Sequence, residues 1–288
     1  MAYTGSGTSS DPYVVSTFAD LLTCIDIADS YVKIAVDLDA AAEGYEYING
    51  FVIKCLRLYA DERKSIKNVT VKGQYMMQRG TGVSATPTID TLDFENWYLK
   101  ANANSPRLFS AIGTSQFMYF ADCKISAGFD AGGNYATVMA YIKFMRCALN
   151  LSIHNGREFY FHAESSGGYN DTFTNCNVVV STNDTPIVKQ SAQLLTGVNS
   201  AGFVFRGFVF NTNSVNFMST GDGYSYIVYK DCFVQAPLSV TCSKATNLIC
   251  FDNTSTENVT FPSANKARVV TAEQLRSESY LQEIGWLP

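Results

Sequence analysis

The sequence predicts an all-β chain wound as a single right-handed parallel β-helix of about nine coils, with a short capping helix at each end. Composition, a recurring six-residue phrase and helical patterns at the two ends carry that expectation. The 288 residues are 47% hydrophobic but only 16% charged, with 17 Tyr and 19 Phe. A helical protein of this length needs abundant Glu, Lys, Leu and Ala on its solvated faces. Here the excess lies in aromatic and β-branched residues between Asn-, Ser-, Thr- and Gly-rich turns, the composition of short strands.

The phrase reads apolar, any, Asn or Asp, Cys or apolar, any, apolar. It occurs as Ile66-Lys-Asn-Val-Thr-Val71, Phe94-Glu-Asn-Trp-Tyr-Leu99, Phe120-Ala-Asp-Cys-Lys-Ile125, Phe144-Met-Arg-Cys-Ala-Leu149 and Phe173-Thr-Asn-Cys-Asn-Val178. Phe205-Arg-Gly-Phe-Val-Phe210 and Tyr229-Lys-Asp-Cys-Phe-Val234 complete the set. The fourth position falls at 69, 97, 123, 147, 176, 208 and 232, with gaps of 28, 26, 24, 29, 32 and 24 residues. In one straight strand the first and fourth side chains point to opposite faces. Both face one interior only if the chain bends between them. Asn, Asp and Gly at the third position tolerate the left-handed conformation of a one-residue corner, and Arg146 is the exception. Stacked coils then predict one inward column of Val69, Trp97, Cys123, Cys147, Cys176, Phe208 and Cys232. Variable gaps belong to loops such as Gly128 to Asn134.

The ends read differently. After Asp11-Pro-Tyr13, the run Ser16 to Ala28 spaces Phe18, Leu21, Leu22 and Ile25 as a helical face behind an N-cap. Thr271 to Ile284 likewise starts on a capping Thr and predicts one helix. Its apolar side, Leu275, Tyr280, Leu281 and Ile284, is expected to close the last coil near Phe251 and Phe261, because an open strand edge invites aggregation. With no linker or composition break between them, the expectation is one domain over 1–288, with an N-terminal cap over 1–40, coils over 41–262 and a C-terminal cap over 263–288.

Several function classes are disfavoured. The net charge is −5 and no basic run exceeds a pair, so nucleic acid is not an expected partner. The N-terminus lacks a basic segment followed by an apolar stretch, and no run approaches about 18 apolar residues. Synthesis in a host cytoplasm without export or membrane insertion is therefore expected. The eight cysteines, with no CxxC pair and only two histidines, read as buried free thiols rather than disulfides or zinc ligands. The six N-x-S/T sequons read as turn composition.

No residue set recommends itself as catalytic, and neither a metal nor a cofactor is expected. Hydrolysis of a glycosidic bond needs paired carboxylates, and the calcium-dependent alternative needs an acidic cluster with a basic proton acceptor. Asp37 and Asp39 alternate on one strand without His or Arg beside them, and read as a solvated face. Trp97 occupies an inward position and reads as core rather than as a sugar platform. The densest polar stretch runs from His154 to Glu164. As a strand it puts Glu158, Tyr160, His162 and Glu164 on one face, opposite Phe159 and Phe161. Such a row suits sugar or protein contact, or acid–base work, and equally an ordinary exposed face. The apolar tail Ile284-Gly-Trp-Leu-Pro288 either seals the last coil or docks a neighbour through Trp286.

The opening Gly5-Ser-Gly-Thr-Ser-Ser-Asp-Pro-Tyr13 with Leu21-Leu22 behind it resembles the start of pectate-lyase-like β-helix domains, which occur in phage virion and bacterial surface proteins. The closing Tyr280-Leu-Gln-Glu-Ile-Gly-Trp286 resembles the end of similar domains. The resemblance covers most of the chain as architecture and implies the fold, but it carries no activity, since this fold hosts lyases, hydrolases, adhesins and inert parts. The hydrolase motifs Asn-Thr-Asp, Asp-Asp and Gly-His-Gly do not occur. The expected function is a non-enzymatic structural or binding protein of a phage particle: a capsid decoration, spike or tail-associated part. Its expected location is the virion, and its expected partners are other virion proteins, a second copy of itself or a host-surface glycan. The alternatives are a polysaccharide depolymerase on the same fold and a bacterial surface adhesin module.

Overall fold

A computed structural model describes residues 3–102, 106–111, 117–133, 135–155, 158–162, 172–182, 187–188, 195–199, 201–210, 214–219, 225–234, 238–242, 244–263 and 265–285, with backbone alone for 135–140, 158–162, 187–188, 195–199, 214–219 and 241–242. The chain is a parallel β-solenoid whose strands fall on three axial ladders. The first ladder begins with Tyr13–Val15 and Tyr31–Ile34 and includes Met118–Ala121, Ile142–Met145 and Thr172–Thr174. The second includes Lys124–Asp130, Ala148–His154, Asn177–Thr182, Gly202–Arg206, Ser225–Lys230 and Asn247–Asp252. The third runs from Phe51–Ile53 to Phe233–Val234 as a separate eight-stranded sheet. Every one of these ladders is parallel, so each turn sits on the last about 4.8 Å along the axis.

Six turns, from the one starting at Arg57 to the one starting at Leu195, are paired above and below on all three ladders. That is fewer than the nine coils expected, because the turns at either end lose a neighbour on at least one ladder. The solenoid also tightens along its length. Phe94 stands opposite Ile125, 31 residues on, whereas Ile249 stands opposite Val269, only 20 on. The third-ladder strands have three to six residues up to Glu158–His162 and two from Ile187–Val188 onward.

The repeated phrase marks corners, as its chemistry requires. Asn68, Asn96, Asp122, Arg146, Asn175, Gly207 and Asp231 all have φ between 52° and 78°. The residue after each, from Val69 to Cys232, is no more than 7% exposed. The single column is not what forms, however. Val69 stacks with Trp97, since Thr70 pairs with Tyr98. Trp97 itself pairs with Ala127, and Cys123 lies level with Leu92 because Lys124 pairs with Asp93. Cys123, Cys147 and Cys176 form a second column. Phe208 and Cys232 belong to a third, before the third ladder. Every corner of a solenoid needs a left-handed residue followed by an inward one, so the phrase identifies a corner without saying which of the corners it is.

The corner residues also bond to one another along the axis. Asn96 Nδ2 donates to Asn68 Oδ1 at 2.8 Å, and Asn68 Nδ2 to Asp39. Asn155 donates to Asp130, and Asn253 to Asp231. Arg146 follows the same rule: its guanidinium forks onto the Asp122 carboxylate one turn below, with Nε at 2.7 Å. Asn253, at φ 50°, is a corner the phrase did not find. There Thr254 replaces cysteine, and its hydroxyl donates to the Tyr229 carbonyl at 3.0 Å while accepting from the Cys232 N–H.

Inside, aromatic rings stack from turn to turn: Phe120 on Phe144 at 5.0 Å, Phe144 on Phe173 at 5.4 Å and Tyr229 on Phe251 at 5.0 Å. Trp97 is core, as read from sequence, with its indole N–H donated to the Ile66 carbonyl at 2.7 Å. Seven cysteines are free and buried, and the side chain of Cys242 lies outside the described residues. Asp37 and Asp39 hold corners, accepting from Ser65 N and from Asn68 and Ala42 N.

The N-terminal helix, Phe18–Ile25, starts on Thr17, whose hydroxyl accepts from Asp20 N, and buries Phe18, Leu21, Cys24 and Ile25. The coils begin earlier than 41, since Tyr31–Ile34 already pairs on both sides. The C-terminal segment departs from expectation twice. It forms two helices, Ala272–Arg276 and Glu278–Glu283, because Ser277 is extended and its hydroxyl caps the second. They lie on the side of the solenoid, where Leu281 joins Val228, Leu248, Cys250 and Val270 in a small separate core. The end near Phe251 and Phe261 is not what they cover, and Phe261 is 40% exposed.

Asn175→Ala puts a Cβ-bearing residue without a polar side chain at φ 53°, and we expect a loss of roughly 1–2 kcal/mol by urea denaturation, with Asn175→Gly close to wild type. The seven buried thiols should resist a maleimide until the chain unfolds. Rapid native labelling of Cys123, Cys147 or Cys176 would contradict the corner packing.

Candidate binding groove

Of the residues singled out from the sequence, three fall on described backbone. Glu158, Tyr160 and His162 fall on the third-ladder strand Glu158–His162, opposite Tyr135, Thr137 and Met139 of the turn before. Backbone alternation puts the three on one face, and their side chains lie outside the described residues. Glu164 and Trp286 lie outside the described residues altogether.

What the fold does assemble is the outward face of the second ladder. Along each strand the inward residues, such as Ile125, Ala127 and Phe129, are buried, and their neighbours point out. Register then stacks the outward residues into axial rows. One row reads Ser126, Asn150, Val179, Val204, Val228, Cys250, and the next Tyr98, Gly128, Ser152, Ser181, Arg206, Lys230, Asp252. Three cavities of about 340, 640 and 340 Å³ lie on this one face. The first two share Ser126 and Asn150, and the last two share Arg206. They form one axial groove over seven strands, about 29 Å long at the interstrand spacing.

Two glycines on this face each leave room for a tyrosine ring. A Cβ on Gly128 would lie 2.7 Å from the Tyr98 ring, and one on Gly202 only 2.1 Å from the Tyr226 ring. Each tyrosine therefore lies over a bare stretch of the adjacent strand. Such a ring presents a broad apolar face with a hydroxyl at its edge. Burial pushes both phenols up, and Asp130 adds to the effect at Tyr98. The groove changes character along its length. Serine and asparagine rungs dominate near Ser126 and Ser152, while valines and cations dominate near Val204 and Arg206.

Charge is arranged in short axial pairs rather than in an acid–base cluster. Lys230 Nζ lies 2.7 Å from Asp252, and that contact holds the carboxyl below its ordinary range. Arg146 does the same for Asp122, and Asn68 for Asp39. The thiol column sits behind this face. Burial raises Cys123, hydrogen bonding to Cys147 and then burial raise Cys176, and those same hydrogen bonds lower Cys147 between them. Among the described residues no three His, Cys, Asp or Glu side chains form a set able to hold a metal ion. No described helix is long and apolar enough to cross a membrane.

The sequence reading missed the groove residues. Outward positions on alternating strands look alike until the register aligns them. The signal that existed was a Tyr one turn from a Gly, Tyr98 before Gly128 and Gly202 before Tyr226. No family model, curated protein or solved structure matches the chain.

The three lowered carboxyls set a direction for acid stability. A carboxyl depressed in the folded state contributes stability that is present above its ordinary value of 3.8 and lost as pH falls through the folded value. The melting temperature should therefore fall as pH drops from about 5 to about 3. Asp122→Asn should flatten that dependence; an unchanged slope would show that the Arg146 contact is not felt by folding.

Proposed function

We propose that this chain is a non-enzymatic structural and binding protein of a phage particle, a capsid decoration, spike or tail-associated part, whose axial groove receives an extended glycan or protein segment. The observation that carries the binding half is the row of three adjoining cavities along one face of seven parallel strands, with polar rungs and two ring platforms in fixed register. A backbone locked on both sides by ladder hydrogen bonds gives up little conformational freedom on binding, so a long ligand can be held by many weak contacts. Hydroxyl and amide rungs suit the hydroxyls of a sugar chain, and tyrosine rings suit its apolar faces. The particle half is supported by the resemblance of the Gly5 to Tyr13 opening and the Tyr280 to Trp286 ending to β-helix domains of virion proteins. The stiff parallel stack suits an exposed particle part.

The groove is tested by filling it. Ser152→Trp places an indole in its middle on an outward position and should leave the melting temperature unchanged. We expect wild type to retain one or more members of a bacterial surface polysaccharide panel, and the variant to lose them by about tenfold or more. Equal retention by both would remove the groove from the function. Release of reducing ends or unsaturated products by wild type would overturn the non-enzymatic reading. Copurification with assembled particles in a fixed symmetric copy number is expected, and its absence would sink the virion assignment.

A further inference from the structure

The cavity at the C-terminal end of the groove differs from the rest in charge and in its roof. Its floor is Val204, Val228 and the Tyr226 ring, and the helix Ala272–Arg276 overhangs it with Leu275 and Arg276. Arg206, Lys230 and Asp252 stand on three successive strands in one outward row. Lys230 and Asp252 neutralise each other at 2.7 Å. Arg206 and Arg276 line the same cavity, and among the described residues no carboxylate forms an ion pair with either. Both guanidiniums act on Asp252, which places their charge at this one spot. The cavity thus carries three cations against one carboxylate, two positive charges in excess.

We infer that this cavity is a binding site for a phosphomonoester carried on a sugar-sized body. The excess of two charges matches the roughly −1.5 to −2 of a phosphomonoester near neutral pH better than the single charge of a carboxylate. Guanidinium forks match phosphate oxygens in geometry, and two of them from different elements can hold adjacent edges of one group. The body of the ligand has its own place. Tyr226 lies across Gly202, where a Cβ would come within 2.3 Å of its hydroxyl, and with Val204 and Val228 it makes the apolar floor beside the cations. A volume of about 340 Å³ lies at the small-ligand end of known pockets. The inference goes beyond the groove reading and stands on this cavity alone.

The test is calorimetric titration of the full chain with glucose 6-phosphate, glucose, glucuronate and inorganic phosphate. Glucose 6-phosphate should bind tightest, and more weakly as salt rises. Arg206→Gln and Arg276→Gln should each weaken it by roughly ten- to a hundredfold, the loss expected for a charge-assisted hydrogen bond. Lys64→Gln, on a distant turn, should bind as wild type. Arg206 sits on a strand and points outward, so its variant keeps the assay readable even if Arg276→Gln loosens the helix; melting temperatures check both. Glucuronate binding as tightly as glucose 6-phosphate would overturn the phosphate assignment. Inorganic phosphate binding equally well would overturn the sugar-sized body. Binding unaffected by Arg206→Gln, or no binding of glucose 6-phosphate at all, would overturn the site, whatever the polysaccharide panel shows for the rest of the groove.

Discussion

The left-handed corner is the constraint on which the solenoid rests. A chain that turns inward between two strands in a single residue needs positive φ there, and for most L-residues that costs roughly 1–2 kcal/mol. Asn, Asp and Gly reduce the cost, and stacking offsets what is left. At Asn68 and Asn96, and at Asp231 and Asn253, one corner's side chain hydrogen-bonds to the corner beneath it. Arg146 shows how strong this axial coupling is. Its residue type does not favour φ 53°, yet a two-pronged contact with Asp122 holds it there.

Once corners fix the turns, register does the rest. Inward positions become aromatic and aliphatic stacks, with Phe120, Phe144 and Phe173 in a row, and outward positions become axial rows with a constant spacing. A groove is the natural product of such rows wherever small residues stand between larger ones. Gly128 and Gly202 open room that Tyr98 and Tyr226 then lie across. The same outward face that offers serine and asparagine rungs near the middle turns apolar toward the end, and it is there that the terminal helices settle, burying Leu281 against Val228, Leu248 and Cys250. Their placement on the flank rather than across the end follows from where apolar outward surface is available. It also gives the groove its only described roof and brings Arg276 to the row that already holds Arg206 and Lys230.

How much of this was legible in the sequence depends on whether the property is local. The corner is local: a phrase of six residues with Asn, Asp or Gly third and an inward residue fourth predicts positive φ and burial, and Asn68, Asp122, Asn175 and Asp231 all obey. The helix starts are local too: Thr271 caps a helix as its position predicts, and the run from Ser16 holds a helix that starts behind Thr17. The break at Ser277 was not read, because a serine within a helical pattern competes as a cap only when its neighbours let the backbone extend there.

Local chemistry along the chain is therefore enough for the strands and corners, the parallel solenoid, the buried free cysteines and the inward place of Trp97. Which corners stack on which emerges with the assembled fold, since the same phrase serves every corner and turn length varies between 20 and 31 residues. That fold separated one expected column into three, placed the terminal helices on the flank, and gathered Tyr98, Ser152, Arg206 and Arg276 onto a single face. The physical reason is that strand register is an interaction between residues some two dozen positions apart, fixed by the sum of loop lengths along the chain. No six-residue phrase contains that sum, and the groove exists only once it has been taken.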